Sequence, residues 1–163
     1  MIIREVKIED APQIAEIYNY YIKNTHHTFE FEPLSLEETQ ERIKKVSAFY
    51  PYVVAEEDGE ILGYAHAARF KLRQAYEHTS EVLIYVKNEA KKRGVGTNLY
   101  LELFDMLEKT NIHVMIAGIS LPNESSVKFH ERLGFKKAAH FTEIGYKLGR
   151  WFDVGYWQLT NRV

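Results

Sequence analysis

The chain has 163 residues, 45% of them apolar and including 11 Tyr and 9 Phe, which is enough for the core of one ordinary domain and excludes wholesale disorder. Its formal net charge of −2 excludes a global basic field for nucleic acid, so any anion site has to be local. The absence of cysteine excludes disulfides, thiolate metal sites and a catalytic thiol.

Met1–Glu5 carries no apolar signal-peptide core, and no apolar run approaches the length of a membrane span. The expectation is a soluble, cytoplasmic protein made of a single domain, residues 1–163, with neither nucleic acid nor membrane as partner. Ile2 to Val6 reads as a first strand. Asp10 is a candidate cap for a helix with Pro12 in its first turn, and Ile14, Ile17, Tyr18, Tyr21 and Ile22 mark its apolar face. Ser35-Leu36-Glu37-Glu38 is a capping-box pattern that opens a second helix through about Ala48. Asp58-Gly59 joins two strands, Tyr52 to Glu56 and Ile61 to Arg69, as a hairpin. Thr79 to Val86 is the next strand. Val95, Leu99, Leu103, Met106 and Leu107 recur at near-helical spacing and mark a third helix. His113 to Ser120 follows as a strand. Asn123 is a candidate cap of a fourth helix that stops at Gly134. Strands near Ala138–Lys147 and Phe152–Thr160 close the chain. The order βααβββαβαββ predicts an α+β domain around a mostly antiparallel sheet, with a parallel, right-handed crossover through the third helix.

Between the Thr79–Val86 strand and the third helix lies Lys91-Lys92-Arg93-Gly94-Val95-Gly96-Thr97. Glycines let the backbone pass close to a ligand, and the N–H groups at a helix start suit an anion such as phosphate. No Gly-Lys-Ser/Thr follows, so this is not a P-loop, and Leu99 stands where a dinucleotide fingerprint needs its third glycine. Taken alone, the loop fits an ordinary helix start equally well. The histidines His26, His27, His66, His78, His113 and His140 show no paired ligand spacing on one element, so no metal site is expected. His26-His27 reads as an exposed loop pair.

The loop combines with four further segments: Ala75-Tyr76-Glu77-His78-Thr79-Ser80-Glu81, Leu121-Pro122-Asn123, His130-Glu131, and the run Gly145–Gln158 that holds Trp151, Asp153 and Trp157. Together these resemble the GNAT superfamily of N-acetyltransferases, and within it the phosphinothricin acetyltransferase branch. The resemblance covers most of the chain, with Lys91 standing where the superfamily favours Arg or Gln. It implies a GNAT-like fold with about four helices flanking the sheet, a homodimer, and direct attack of a substrate amine on the thioester of acetyl-CoA. Glu81 matches the general base; a surface glutamate paired with a cation is the alternative. His130 matches the position of a thiolate acid. It also fits a base relay, or a core histidine held by a backbone carbonyl. Cofactor contacts fall on Tyr85, Val86, Lys91, Arg93, Gly94, Val95, Gly96, Thr97, Asn123 and Ser126. Asn123 equally serves as a helix cap. Substrate contacts fall on Phe29, Arg73, Tyr76 and Lys147, with a solvated loop arginine the alternative for Arg73. Glu30 stands where the branch can carry a basic residue after the Phe. Lys147, Trp151 and Asp153 fit a role in shaping the site or the dimer edge, and core packing accounts for Trp151 and Trp157 equally well.

The function implied is acetyl transfer to the α-amine of a small amino acid or analogue, of the phosphinothricin, methionine sulfoximine or methionine sulfone type. Transfer to a peptide N-terminus, a polyamine or another amine is the enzymatic alternative. A non-catalytic acyl-CoA-binding module is the third possibility, which does not require Glu81 and His130.

Overall fold

A computed structural model describes residues 1–161. The elements run β1 (Ile2–Glu5), α1 (Ala11–Asn24), α2 (Leu36–Ser47), β2 (Tyr52–Glu57), β3 (Glu60–Arg69), β4 (Thr79–Val86), α3 (Val95–Glu108), β5 (Val114–Leu121), α4 (Glu124–Arg132), β6 (Lys136–Lys147) and β7 (Arg150–Thr160). This is the predicted order, a mixed α+β fold. β4 and β5 pair in parallel from Thr79↔Val114 to Glu81↔Ile116. The pairs β1–β2, β2–β3, β5–β7 and β6–β7 are antiparallel.

Local chemistry accounts for most boundaries. Ser35 accepts from the Glu38 N–H while Glu38 reaches back to the Ser35 N–H, so two orphan donors are satisfied at the start of α2. Asp58 (φ 52°) and Gly59 (φ 82°) both turn left-handed between β2 and β3, the combination that matches strand twist in a two-residue hairpin. Gly134 (φ 95°) follows the C-cap residue of α4 as predicted. Asp10 departs from its expected role. Its carboxylate accepts from the Lys7 N–H at 2.7 Å and from Arg4 at 2.8 Å, closing the short 3-10 turn Ile8–Asp10 instead of capping α1. The nearby guanidinium outbids an exposed helix N–H, because a bidentate charged pair is the stronger bond.

The chain divides into two units. The first comprises Met1–Tyr20, Leu34–Ala68 and Val82–Asn111. Here β2 (Val53, Val54, Ala55) and β3 (Ile61, Leu62, Tyr64, Ala65) are buried on both faces. α3 and α2 pack on β2, and α3 supplies Val95, Leu99, Leu103 and Leu107, all at most 2% exposed. Burying each of these leucines contributes about 1.5–3 kcal/mol.

The second unit comprises Tyr21–Pro33, Arg69–Glu81 and the described residues from Ile112. β5 lies between the start of β4 and β7, with β6 beyond β7. α4 packs on β5, and Met115, Ile116, Ala117, Ile119, Phe135, Phe152 and Trp157 are buried. Trp157, at 2% exposed, donates to Glu131 at 3.1 Å, whereas Trp151 is 59% exposed. Core packing therefore accounts for Trp157 and not for Trp151. β4 crosses the division, with Thr79–Glu81 in the second unit and Val82–Val86 in the first.

Candidate functional site

In the first unit, β4 ends in Tyr85-Val86 and the chain returns through Lys91–Gly94 into α3. Gly94 is the N-cap of α3 in the left-handed conformation (φ 80°). Lacking a side chain, it leaves the first-turn N–H groups of Val95, Gly96 and Thr97 uncapped, and α3 has no acidic residue in that turn. A 14-residue helix with an open, positive start is an anion receptor, which fits the pyrophosphate of a nucleotide cofactor. The cations here are partly committed. Lys91 Nζ donates to Asn88 Oδ1 at 3.0 Å, and Arg93 pairs with Glu57, which also receives the N-terminal ammonium at 3.4 Å.

A glycine that sequence reading passed over sets the height of this strand end. A Cβ on Gly63 in β3 would lie 2.9 Å from the Tyr85 carbonyl oxygen and 3.1 Å from the Val86 Cα. β3 therefore approaches Tyr85-Val86 more closely than a side chain allows. Tyr85 itself is packed edge-on against Tyr18 (5.0 Å) and tilted against Tyr64 (5.7 Å).

In the second unit, Glu81 is half-buried, and among the described residues it has no cation and no hydrogen-bond donor. Burial raises its carboxyl above the ordinary glutamate value. Its Oε1 lies 3.6 Å from where a Cβ on Gly118 would stand, and the Tyr156 ring lies 3.1 Å from the same point. Gly118 of β5 pairs with Tyr156 of β7, so one missing side chain gives room to both groups. The Tyr156 phenol is pushed up by burial and then by the Glu81 charge, which keeps it protonated. Neither Gly118 nor Tyr156 emerged from the sequence. The available signal was a glycine inside an apolar strand, which marks a close approach without naming the partner.

His130 is 3% exposed in the last turn of α4. Its Nδ1 lies 2.8 Å from the Ser126 carbonyl oxygen and 3.4 Å from the Ser126 hydroxyl. A carbonyl only accepts, so Nδ1 carries the proton. Burial pushes the imidazole down, opposed in part by that bond, and the ring is neutral near pH 7. Asn123 Oδ1 accepts from the Ser126 N–H at 3.3 Å and from the Ser125 hydroxyl at 3.2 Å, so its capping role is realised.

Arg73 is exposed just before the 3-10 turn Gln74–Tyr76, and among the described residues it pairs with no carboxylate. Tyr76 stacks edge-on against Phe70 at 5.8 Å, with Lys71 Nζ 5.5 Å from its ring. Phe29 lies against Gly145 of β6. Lys147, 3% exposed, donates to the Thr28 carbonyl at 2.7 Å. His26 is not the solvated loop residue expected. It stacks on Phe152 at 4.2 Å and its Nδ1 makes a short contact with the Ser120 hydroxyl. The second unit thus gathers Glu81, Gly118 and Tyr156 in one group and Phe29, Gly145 and Lys147 in another. Among the described residues no group of three His, Cys, Asp or Glu side chains is placed to hold a metal, and no helix is long and apolar enough to cross a membrane.

Comparison with known proteins identifies the arrangement. Residues 3–155 match the family model described as an acetyltransferase (GNAT) domain. Phosphinothricin N-acetyltransferase of Streptomyces viridochromogenes is 35% identical over 156 residues, covering 96% of this chain and 85% of its own. A ribosomal-protein-alanine N-acetyltransferase from Brucella melitensis superposes with a TM-score of 0.96 at 30% identity, over 99% of this chain and 100% of that one. A GNAT superfamily phosphinothricin acetyltransferase from Sinorhizobium meliloti, solved with AcCoA, superposes with a TM-score of 0.94 at 34% identity, over 98% and 87% of the two chains. With its strand order, its open glycine-capped helix and its half-buried strand glutamate, the chain belongs to the GNAT acetyltransferase family.

Proposed function

We propose that residues 1–163 act as a single N-acetyltransferase domain that transfers acetyl from acetyl-CoA to the α-amine of a small amino acid or analogue, of the phosphinothricin, methionine sulfoximine or methionine sulfone type. The observation that carries this reading is Glu81: half-buried, raised by burial and unpaired among the described residues. A structural glutamate at such a position is normally paired with a cation or a donor. An unpaired one with a raised value is suited to take a proton near neutral pH.

Acetyl-CoA supplies the activated thioester. The α3 N–H groups of Val95, Gly96 and Thr97, beyond the Gly94 cap, hold its pyrophosphate, and Lys91 and Arg93 add charge. Arg93 exchanges Glu57 for phosphate. Tyr85 and Val86 offer β4 main-chain groups to the pantetheine arm, and Asn123 and Ser126 contribute from the start of α4. Arg73 holds the substrate carboxylate with its planar guanidinium, and Tyr76 and Phe29 wall the substrate side chain. Glu81 removes the ammonium proton so that the amine lone pair attacks the thioester carbonyl carbon; the N–C bond forms, the C–S bond breaks and the sulfur leaves as CoA thiolate. His130, neutral with Nδ1 committed to Ser126, suits a proton acceptor in a relay and not a donor. The protein is proposed to work in the cytoplasm as a homodimer. The exposed apolar side chains Phe141, Ile144 and Tyr146 of β6, Leu148 of the turn and Trp151 of β7 support such an interface.

Thiol release from acetyl-CoA across a panel of amino acids, phosphinothricin, methionine sulfoximine, peptides and polyamines tests the assignment. Turnover on amino acids with a free carboxylate is expected; turnover confined to polyamines would overturn it. A second reading, transfer to a peptide N-terminal α-amine, is favoured by the likeness to the Brucella melitensis protein. It predicts that a peptide outcompetes every free amino acid in the same panel.

A further inference from the structure

Gly145 closes the longer of the two interruptions in the β6 ladder, the other lying between Lys137 and Ala139. The register with β7 shifts between Phe141 and Gly145, and Glu143 stands at φ 51° with its N–H donating to Asp153 Oδ1 at 2.8 Å. A bulge of this kind re-aims the side chains that follow it. After it, Gly145 pairs with Phe152 and Lys147 with Arg150, and both Gly145 and Lys147 are buried while Ile144, Tyr146 and Leu148 are exposed.

The segment between α1 and α2 rests on this re-aimed face by three attachments. A Cβ on Gly145 would lie 2.2 Å from Phe29 Cε2 and 2.4 Å from its Cζ, so the ring lies flat where a side chain would otherwise be. One residue before the ring, the Thr28 carbonyl accepts from Lys147 Nζ. Three residues before the ring, His26 stacks on Phe152, whose other neighbour is the Arg150 guanidinium, 4.5 Å from its centroid. Lys147 is buried, which works against its charge, and the Glu30 carboxylate works for it. An acidic residue after Phe29 therefore belongs with a buried ammonium at 147, and a basic one there would add repulsion to the desolvation cost.

From this geometry we infer that Gly145 is a positioning residue for substrate choice: it seats the Phe29 ring, with Lys147 hooking the adjacent carbonyl, and so fixes the height of the wall that the substrate side chain meets. This rests on the reading above that Phe29 lines the substrate pocket. Lys147 then serves the loop backbone and not the substrate.

The test compares Gly145→Ala, Phe29→Ala and the double variant by steady-state kinetics over amino acids of graded side-chain length at saturating acetyl-CoA. It is joined to an NMR measurement of the Gly145 Hα resonances in the wild type and in Phe29→Leu. Gly145→Ala is expected to raise KM for the best amino acid about tenfold and to reorder the panel, with KM for acetyl-CoA unchanged. The double variant is expected to match Phe29→Ala alone. Lys147→Met, which keeps the volume and removes the hook, is expected to shift the panel in the same direction by less. The Gly145 Hα resonances are expected to lie upfield from the Phe29 ring current and to return toward ordinary values in Phe29→Leu. An unchanged KM in Gly145→Ala, losses that simply add in the double variant, or no ring-current shift would each overturn the inference. If the wild type turns over no amino acid, the substrate assignment fails instead. The ring-current shift, and the same kinetics with whichever amine is turned over, then decide the inference.

Discussion

The glycine loop of the first unit and the Glu81 group of the second are suited to their proposed roles in opposite ways. At the loop, the proposed binding falls to main chain: an uncapped helix start at Gly94, and a strand end whose height is set by the absence of a Cβ at Gly63. Its cationic side chains are partly committed elsewhere, Lys91 to Asn88 and Arg93 to Glu57. Around Glu81 the reverse applies. The proposed chemistry rests on one carboxylate that burial raises and that has no partner among the described residues. A main-chain site should tolerate loss of side chains and resist gain of a Cβ. A side-chain site should lose its function with two atoms changed and its shape intact.

The largest expected effect sits on the side-chain half. Glu81→Gln should lower kcat by about 10²–10⁴-fold with KM for acetyl-CoA unchanged, measured by thiol release; full activity at pH 7 would remove Glu81 as the base. In the wild type the acid limb of kcat/KM should lie above the ordinary glutamate value of 4.5 and be absent in this variant. Stability should move the other way. Because the folded-state value is raised, the contribution of Glu81 is fully present below 4.5 and is lost as pH rises through the folded-state value. Ionised Glu81 therefore costs stability at neutral pH, and Glu81→Gln should unfold at a higher temperature than the wild type at pH 7.

Next comes the main-chain half. Gly63→Ala should weaken acetyl-CoA binding about tenfold by calorimetry, because the added carbon meets the Tyr85 carbonyl and backbone has to shift by an amount worth ~1–3 kcal/mol. Lys91→Ala should weaken it less, and a larger loss there than in Gly63→Ala would undo the contrast between the two regions. His130→Phe should lower kcat less than tenfold while destabilising the fold by ~1–3 kcal/mol through the lost bond to Ser126. A hundredfold fall in kcat with an unchanged unfolding temperature would restore a thiolate acid at 130. Smallest is Arg73→Ala, an exposed residue whose loss should raise KM severalfold for amino acids and leave amines without a carboxylate unaffected.

The features legible in the sequence were those governed by neighbours a few residues apart. The Ser35/Glu38 box, the Asp58-Gly59 turn, the Gly134 stop and the apolar stripe of α3 each depend on contacts within one or two turns of chain. The features that escaped depend on what lies across the sheet. Gly63, Gly118 and Gly145 are glycines in strands, and nothing adjacent to them says that a carbonyl, a tyrosine ring or Phe29 fills the space. Asp10 was misjudged although its partners are local, because the Lys7 N–H and the Arg4 guanidinium, three and six residues before it, compete with the helix start that follows it. His26 looked solvated because the residues that hold it, Ser120 and Phe152, are about a hundred positions away or more.

The interruption in β6 also carries a consequence for chain length. Between Phe141 and Gly145 the strand spends four steps where β7, from Val154 to Phe152, spends two. A hairpin alternates its faces residue by residue, so losing a single residue at 142–144 would reverse every position beyond it. Tyr146 and Leu148 would turn inward, and Gly145 and Lys147 would face water. Losing two would restore the parity and keep the Phe29 seat. Viable length variants of this hairpin should therefore differ by even numbers of residues.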